Sequence, residues 1–96
     1  MAYKILIDKE VETTIYKIND YYKKRKYNKN HTKKITMNIR HLIKALEINP
    51  YQYPIDSINS KFHKVVFTNC NYKINYYIDE LNKTIYITNL KSFKQK

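Results

Sequence analysis

The sequence predicts a small α+β domain in which an N-terminal strand and a helical hairpin precede a three-stranded antiparallel meander. Apolar residues recur with a helical period before the segment 48–54 and alternate with polar residues after it. That segment holds both prolines of the chain, Pro50 and Pro54, and breaks any helix that enters it. With 96 residues, the chain suffices for one compact domain, residues 1–96, and is too short for two.

The N-terminal half carries the helical signals. Residues 3–7 predict a short strand, and Asp8 suits the N-cap of a first helix because two glutamates follow in its first turn. This helix is expected to end near Lys26 and to bury a stripe of Val11, Ile15, Ile18 and Tyr22. A short turn with asparagines leads to a second helix, whose stripe is Ile35, Ile39, Leu42, Ile43 and Leu46.

The C-terminal half shows the period of strands. Residues expected to face the helices are Val65, Phe67, Ile74, Tyr76, Ile78, Ile85 and Ile87. Turns are predicted at 69–71 and 79–82, where asparagine takes the positive φ that glycine usually adopts. The N-terminal strand can join the edge of this meander, so that the helical hairpin covers the apolar face of the sheet.

The opposite face of the predicted sheet carries cations and phenols. The residues that point away from the helices are Lys64, Val66, Lys73, Asn75, Tyr77, Tyr86 and Thr88. Further basic residues are expected at its rim: Lys61, His63, Lys91, Lys94 and Lys96. Lysines neutralise phosphates and tyrosine rings stack on bases, so this combination suits RNA. An ordinary solvated sheet face, with tyrosines placed by β-propensity, would give the same pattern.

Charge favours a polyanionic partner. Lysine and arginine number 19 against 8 acidic residues, which gives a formal net charge of +11 and a pI near 9.7. An AT-rich genome, whose codons favour lysine, isoleucine, asparagine and tyrosine, is a competing reason for this excess. A second basic run without acidic residues comprises Lys23, Lys24, Arg25, Lys26, Lys29, Lys33 and Lys34. Part of that run suits the end of the first helix, where cations favour the helix dipole.

Composition excludes several classes of function. The chain has no glycine, which rules out glycine-rich phosphate loops, dinucleotide fingerprints and nucleophile elbows, so we expect no cofactor. Cys70 is the only cysteine, which excludes an internal disulfide and a cysteine-rich zinc site. The sequence contains no run of about 18 apolar residues, and its N-terminus lacks a secretory hydrophobic segment. We therefore expect a cytoplasmic protein with no membrane partner.

Established catalytic sets are poorly represented. A pair of Cys70 and His63 lacks an orienting third group, and the histidines are scattered over different elements, so neither a thiol nucleophile nor a metal site is indicated. Cleavage of a phosphodiester remains compatible with the sequence, because it needs only a positioned base, an acid and nearby cations.

Three segments together resemble the RelE/ParE family of type II toxins. Residues 42–50 (Leu-Ile-Lys-Ala-Leu-Glu-Ile-Asn-Pro) match a second helix that ends in an asparagine-proline pair. Residues 72–80 (Tyr-Lys-Ile-Asn-Tyr-Tyr-Ile-Asp-Glu) and 82–87 (Asn-Lys-Thr-Ile-Tyr-Ile) match the family's third strand, the turn after it and its last strand. With the order of elements, the resemblance extends from Tyr3 to about Leu90. It implies the fold predicted above.

The resemblance also implies a function and partners. Family members cleave mRNA in the ribosomal A site or poison DNA gyrase, and a cognate antitoxin wraps around the toxin. Carried over to this chain, the basic residues Lys61, His63, Lys64 and Lys73 would hold phosphates. Where family nucleases commonly have an arginine and then a histidine or tyrosine for proton transfer, this chain has Asn89 and Ser92.

The leading hypothesis is a toxin that acts on translation by ribosome-associated mRNA cleavage, held in check by an antitoxin. His63 and Lys73 are its candidate catalytic residues. Histidine suits proton transfer because an isolated imidazole has a pKa near 6.5, and Lys73 would neutralise the phosphate. The candidate RNA-binding residues are Lys61, Lys64, Tyr77, Tyr86, Lys91 and Lys94. Two alternatives stay open: a gyrase inhibitor without catalysis, favoured by Asn89 and Ser92, and a non-toxic nucleic-acid-binding homologue.

Overall fold

The α+β class is confirmed by a computed structural model, which describes residues 3–24 and 30–92. Two helices and four strands follow one another as β1 (Lys4–Ile7), α1 (Lys9–Lys24), α2 (Asn30–Ile48), β2 (His63–Phe67), β3 (Tyr72–Asp79) and β4 (Thr84–Ser92). The four strands form one sheet in the order β1-β4-β3-β2. Neither described helix is long and apolar enough to cross a membrane.

The predicted antiparallel meander is formed by β2, β3 and β4, and β1 joins its edge as expected, but in the parallel direction, so the complete four-stranded sheet is mixed. Strands β2, β3 and β4 pair antiparallel in sequence order, but β1 pairs parallel with β4, with Ile5 opposite Ile85 and Ile7 opposite Ile87. The period of a strand reports which residues share a face, while the partner and direction of the strand depend on the path of the intervening chain. In this chain, β1 and β4 are neighbours in the sheet although α1, α2, β2 and β3 lie between them in the sequence.

The core lies between the helices and one face of the sheet. Among the predicted stripe residues, Val11 of α1 and Ile35, Ile39, Leu42 and Leu46 of α2 are buried, and Ile15, Ile18 and Ile43 are half-buried against them. The predicted inward set of the strands is buried too, with Ile78 half-buried against it. Tyr22 and the expected helix end near Lys26 lie outside the described side chains.

Helix α1 begins as its sequence predicts. The Asp8 carbonyl accepts hydrogen bonds from the backbone N–H groups of Val11 and Glu12, at 2.9 and 3.3 Å. Glu10 and Glu12 lie in the first turn, where the helix dipole favours negative charge. The same Asp8 also donates its own backbone N–H to the carbonyl of Ile87 at 2.9 Å, so the end of β1 and the start of α1 are tied to β4.

The segment 49–62 between α2 and β2 is attached to the sheet. Its Ile55 bridges to His63, and the Pro54 carbonyl accepts the backbone N–H of Lys64 at 2.8 Å. The Pro50 carbonyl accepts a hydrogen bond from the buried Tyr76 hydroxyl at 2.6 Å. This segment therefore covers part of the outer edge of β2.

The two predicted turns differ in how they use asparagine. Asn71 has a φ of 61°, as expected for the first turn. In the second turn, however, the positive φ of 48° belongs to Lys83 and not to Asn82. Asn82 uses its backbone and side-chain N–H groups to bind the Asp79 carboxylate at 3.2 and 2.8 Å, which moves the left-handed position one residue along the chain.

Candidate nucleic-acid interface

The sheet face opposite the helices, called the outer face below, is formed by alternate residues of the strands. Direct cross-strand partners project to the same side of a sheet. The pairs Lys64 with Asn75, Val66 with Lys73, Asn75 with Thr88 and Tyr77 with Tyr86 therefore share one face, and Leu6 of β1 joins it beside Tyr86. The outer face thus comprises Leu6, Lys64, Val66, Lys73, Asn75, Tyr77, Tyr86, Thr88 and Lys91, with Lys4, Asp79 and Thr84 at its other end.

A bulge in β4 places Lys91 on this face. The register shifts between Lys73 and Asn75, so that two residues of β4, Asn89 and Leu90, lie opposite one residue of β3. Asn89 adopts a φ of 58°, Leu90 turns into the core, and Lys91 becomes the direct partner of Lys73. Simple alternation would have pointed Lys91 toward the helices.

Lys73 and Lys91 form a cross-strand pair of like charge. Such pairs destabilise a sheet by a few tenths of a kcal/mol or more unless a counter-charge is present. Among the described residues, no carboxylate forms an ion pair with Lys73 or Lys91. Both ammonium groups are therefore available to an anion.

Lys61 and Lys64 have partners within the protein. The Lys61 ammonium lies over the Tyr77 ring, 5.1 Å from its centroid. Lys64 lies near Asp56, whose carboxylate accepts hydrogen bonds from the backbone of Ile58 and the side chain of Asn75, so its pKa is lowered. The field of Lys64 is thus partly cancelled, and the pair Lys73 and Lys91 dominates the charge of the outer face.

Aromatic rings cluster beside these lysines. Tyr77 and Tyr86 stack with centroids 4.8 Å apart and an interplanar angle of 20°, while Phe62 meets Tyr77 edge-on at 5.6 Å. Tyr77 is thus engaged by three groups, the third being Lys61. Among the rings of the described residues, the Tyr86 ring contacts only that of Tyr77. Tyr86 is therefore better placed than Tyr77 to stack on a base.

The centre of the outer face is buried. Asn75 and Thr88 point outward, as predicted, but they are only 9% and 8% exposed. The Asn75 amide donates to Asp56 at 3.0 Å and to the His63 carbonyl at 3.2 Å, and the Thr88 hydroxyl donates to Asp8 at 3.2 Å. An evenly solvated sheet face is therefore excluded at these two positions.

His63 lies on the helix-facing side and not at the rim of the outer face. It pairs directly with Tyr76, and the two rings stack at 4.9 Å with an angle of 9°. Its Nδ1 is 2.8 Å from the Tyr53 carbonyl oxygen, which holds the imidazole in place. The structure therefore does not bring His63 and Lys73, the two predicted catalytic residues, together.

The other residues considered in the sequence analysis also lie apart from one another in the fold. Cys70 is buried in the turn after β2, where burial raises the pKa of its thiol, and His63 lies at the opposite end of that strand. Ser92 ends β4 opposite Tyr72. Lys94 and Lys96 lie outside the described residues. In the second basic run, Arg25, Lys26 and Lys29 also lie outside the described residues, Lys23 and Lys24 are the last residues of α1, and Lys33 and Lys34 are exposed on α2.

A groove of about 490 Å³ opens beside Tyr86, and the sequence did not reveal it. Its lining is Leu6, Ile7, Asp8, Lys9, Phe62, Tyr77, Tyr86, Thr88 and Asn89. We call it the Tyr86 groove. The sequence predicts Asp8 only as an N-cap, and the bulge that orients Asn89 is not visible in the alternation of apolar and polar residues. The asparagine itself, a residue that tolerates positive φ, was the available signal.

Within residues 3–24 and 30–92, no group of three His, Cys, Asp or Glu side chains is arranged to hold a metal ion. Compared with known proteins, the chain matches no protein-family model, and no curated protein sequence matches it.

Proposed function

We propose that this chain is a RelE/ParE-type toxin that acts on translation and that its outer face binds mRNA. The observation that carries the proposal is the pair of Lys73 and Lys91, with which no carboxylate of residues 3–24 and 30–92 forms an ion pair, on the same face as the stacked Tyr77 and Tyr86. Lys73 is four residues from Tyr77 along β3, about 13 Å at about 3.3 Å per residue. Phosphate and base contacts at such a separation suit an extended single strand.

The proposed chemistry is attack of the 2′-oxygen on the adjacent phosphorus, which forms a 2′,3′-cyclic phosphate and breaks the P–O5′ bond. Water takes the proton of the 2′-hydroxyl and protonates the departing 5′-oxygen. Lys73 and Lys91 would stabilise the charge that develops on the pentacovalent phosphate, because both ammonium groups approach from one face. We assign them this role and leave His63 out of the proton transfer, since its ring is held on the helix-facing side. The cognate antitoxin would be an acidic protein that masks the same cations.

Induction of the gene in a bacterial host tests this proposal. Wild-type chain should arrest growth and produce mRNA 5′ ends at a constant position within codons. The double variant Lys73→Ala/Lys91→Ala should lose both effects. The matched variant Lys17→Ala/Lys44→Ala removes two exposed helix cations and should retain them. Growth arrest with intact mRNA would reject cleavage.

A second candidate is a toxin that inhibits DNA gyrase by binding alone. It is favoured because neither His41 nor His63, the histidines whose side chains the structure describes, lies on the outer face. The chain also has Asn89 and Ser92 where family nucleases carry proton-transferring groups. A supercoiling assay with purified protein separates the two, because only this candidate predicts loss of gyrase activity without ribosomes. Unchanged growth on induction would reject both toxin candidates and favour the third alternative, a non-toxic nucleic-acid-binding homologue.

A further inference from the structure

The Tyr86 groove combines an aromatic wall with a polar end. Its volume of about 490 Å³ lies within the range of roughly 300–1,000 Å³ that small-ligand pockets occupy. Leu6, Phe62 and the stacked rings of Tyr77 and Tyr86 supply flat and apolar surface. Asp8, Thr88 and Asn89 supply hydrogen-bonding groups at the other end. Planar ligands with polar edges, such as nucleobases, fit this division.

The carboxylate of Asp8 has spare hydrogen-bonding capacity. Its Oδ2 accepts from the Thr88 hydroxyl at 3.2 Å, and its Oδ1 is 3.5 Å from the backbone N–H of Glu10, which is a weak contact. An ionised carboxylate accepts about four hydrogen bonds, so both oxygens can still receive a donor. Asp8 is exposed to the groove and, through Thr88 and the backbone of Ile87, is fixed to β4.

Asn89 complements this acceptor with a donor. The β4 bulge, with its φ of 58°, turns the Asn89 backbone at the end of the groove. The carboxamide oxygen of Asn89 lies 3.5 Å from the Thr88 hydroxyl, and its amide nitrogen makes no hydrogen bond to the described residues. The groove therefore presents two acceptor oxygens from Asp8 and a donor from Asn89.

Among the four RNA bases, only guanine has two adjacent donors, N1–H and N2–H, followed by an acceptor, O6. We propose that the Tyr86 groove binds a single unstacked guanine, with its two donors on Asp8, its O6 on the Asn89 amide and its ring against Tyr86. Adenine, cytosine and uracil would each turn an acceptor toward a carboxylate oxygen, which is unfavourable. This inference rests on the proposed function, because it specifies the base that the RNA-binding outer face prefers.

The groove and the lysine pair belong to one surface. Tyr86 and Lys91 are both on β4, and the bulge between them places Lys91 beside Lys73. Lys9, at the groove, adds a cation close to the sugar and phosphate of a bound nucleotide. With a guanine in the groove, phosphates farther along the RNA strand, about 13 Å from the tyrosine pair, lie near Lys73 and Lys91.

Binding of short labelled RNAs to the full chain, measured by fluorescence anisotropy at low salt, tests the proposal. The probes are the pentanucleotides UUGUU, UUAUU, UUCUU and UUUUU, together with UUIUU, in which inosine lacks only the N2 amino group. We expect UUGUU to bind about 5- to 150-fold more tightly than UUAUU, the usual range for a bidentate base contact. UUIUU should fall between them.

Two substitutions assign the preference to the groove. Asp8→Asn keeps a good N-cap but replaces one acceptor with a donor, so the UUGUU to UUAUU ratio should fall to about one. Asn89→Gly keeps the positive φ and removes the amide, so the ratio should fall partly. Lys73→Ala should weaken all five RNAs alike and leave the ratio unchanged, whereas Lys17→Ala should change neither.

The outcomes separate this inference from the function on which it rests. Tight, salt-sensitive binding of all five RNAs with equal affinity would overturn the guanine site and leave the RNA-binding outer face intact. Binding of none of them would overturn both. A guanine preference that survives in both Asp8→Asn and Asn89→Gly would place recognition elsewhere on the chain and would also contradict the proposal.

Discussion

The alternation of β2 places His63 on the helix-facing side of the sheet, and hydrogen bonds and ring contacts hold it there. His63 is basic and adjacent to Lys64, yet its ring stacks on Tyr76 and its Nδ1 meets the Tyr53 carbonyl. Burial raises the pKa of Tyr76 to about 12, so its hydroxyl stays protonated and donates to the Pro50 carbonyl. These contacts attach the segment 49–62 to the sheet and hold the His63 ring on its helix-facing side.

The Tyr76 hydroxyl is expected to contribute to stability. Tyr76→Phe removes a buried hydrogen bond of 2.6 Å and leaves the Pro50 carbonyl without that donor, at a cost of about 1–2 kcal/mol in the free energy of unfolding. Tyr16→Phe, at a ring that is 71% exposed, should change it by less than about 0.5 kcal/mol. Urea denaturation measures both, and equal effects of the two variants would contradict this assignment.

Glu80 connects three parts of the chain at the surface. Its carboxylate accepts hydrogen bonds from the hydroxyls of Tyr3 and Tyr51 and pairs with Lys83 at 2.8 Å. Lys83, then Tyr51 and Tyr3, lower the pKa of Glu80 to about 2, and the bond to Glu80 raises that of Tyr51 to about 12. The β3–β4 turn, the start of β1 and the segment 49–62 are joined in this way.

This cluster predicts a pH dependence of stability. Because the folded-state pKa of Glu80 is about 2 against an ordinary 4.5, its contribution is complete above about pH 4.5 and is lost as the pH falls toward 2. Glu80→Gln removes the titrating group. The difference in urea midpoint between wild type and Glu80→Gln should therefore shrink steadily over this acid range. A constant difference would show that the ionised form of Glu80 does not stabilise the fold.

At the scale of elements, the bulge in β4 matters most for the outer face. It reverses the alternation of the strand, so that Leu90 packs in the core while Lys91 faces Lys73. The bulge requires one residue, Asn89, at positive φ, which asparagine tolerates and β-branched residues do not.

Substitution at Asn89 tests the bulge. Asn89→Val should destabilise the chain by about 1–3 kcal/mol, because a β-branched residue is strained at a φ of 58°. Asn89→Gly should be neutral or slightly stabilising, since glycine adopts this φ without steric cost. Thermal unfolding of the two variants gives the comparison. If Val and Gly had the same effect, the positive φ would not be required.

The elements differ in how far they could be predicted. The predicted apolar stripe of α2 and the alternation of β2 and β3 are confirmed. Each of these elements buries one face against the same core, which imposes a regular spacing on its apolar residues. The parallel pairing of β1, the bulge at Asn89 and the pairing of segment 49–62 with β2 depend on long-range contacts that leave no period. The lysines of the candidate site were thus predicted, but the groove and the placement of His63 were not.

At the scale of the whole molecule, the two faces of the sheet differ in composition and burial. The helices and their stripes bury the inner face and provide the hydrophobic core. The outer face carries part of a net charge of +11, with Lys73 and Lys91 paired and Tyr77 and Tyr86 stacked beside them. Other cations are exposed on the helices, among them Lys17, Lys33 and Lys44, so the lysine pair beside the stacked rings, and not charge alone, distinguishes the outer face.

The most direct test of an RNA-binding outer face is the salt dependence of binding to a single-stranded RNA. Each lost phosphate contact lowers the magnitude of the slope of log affinity against log salt by about 0.7, so Lys73→Ala/Lys91→Ala should reduce it by about 1.4. The double variant Lys17→Ala/Lys44→Ala removes the same charge from the helices and should leave the slope near that of wild type. Equal reductions in the two variants would contradict an RNA site on the outer face.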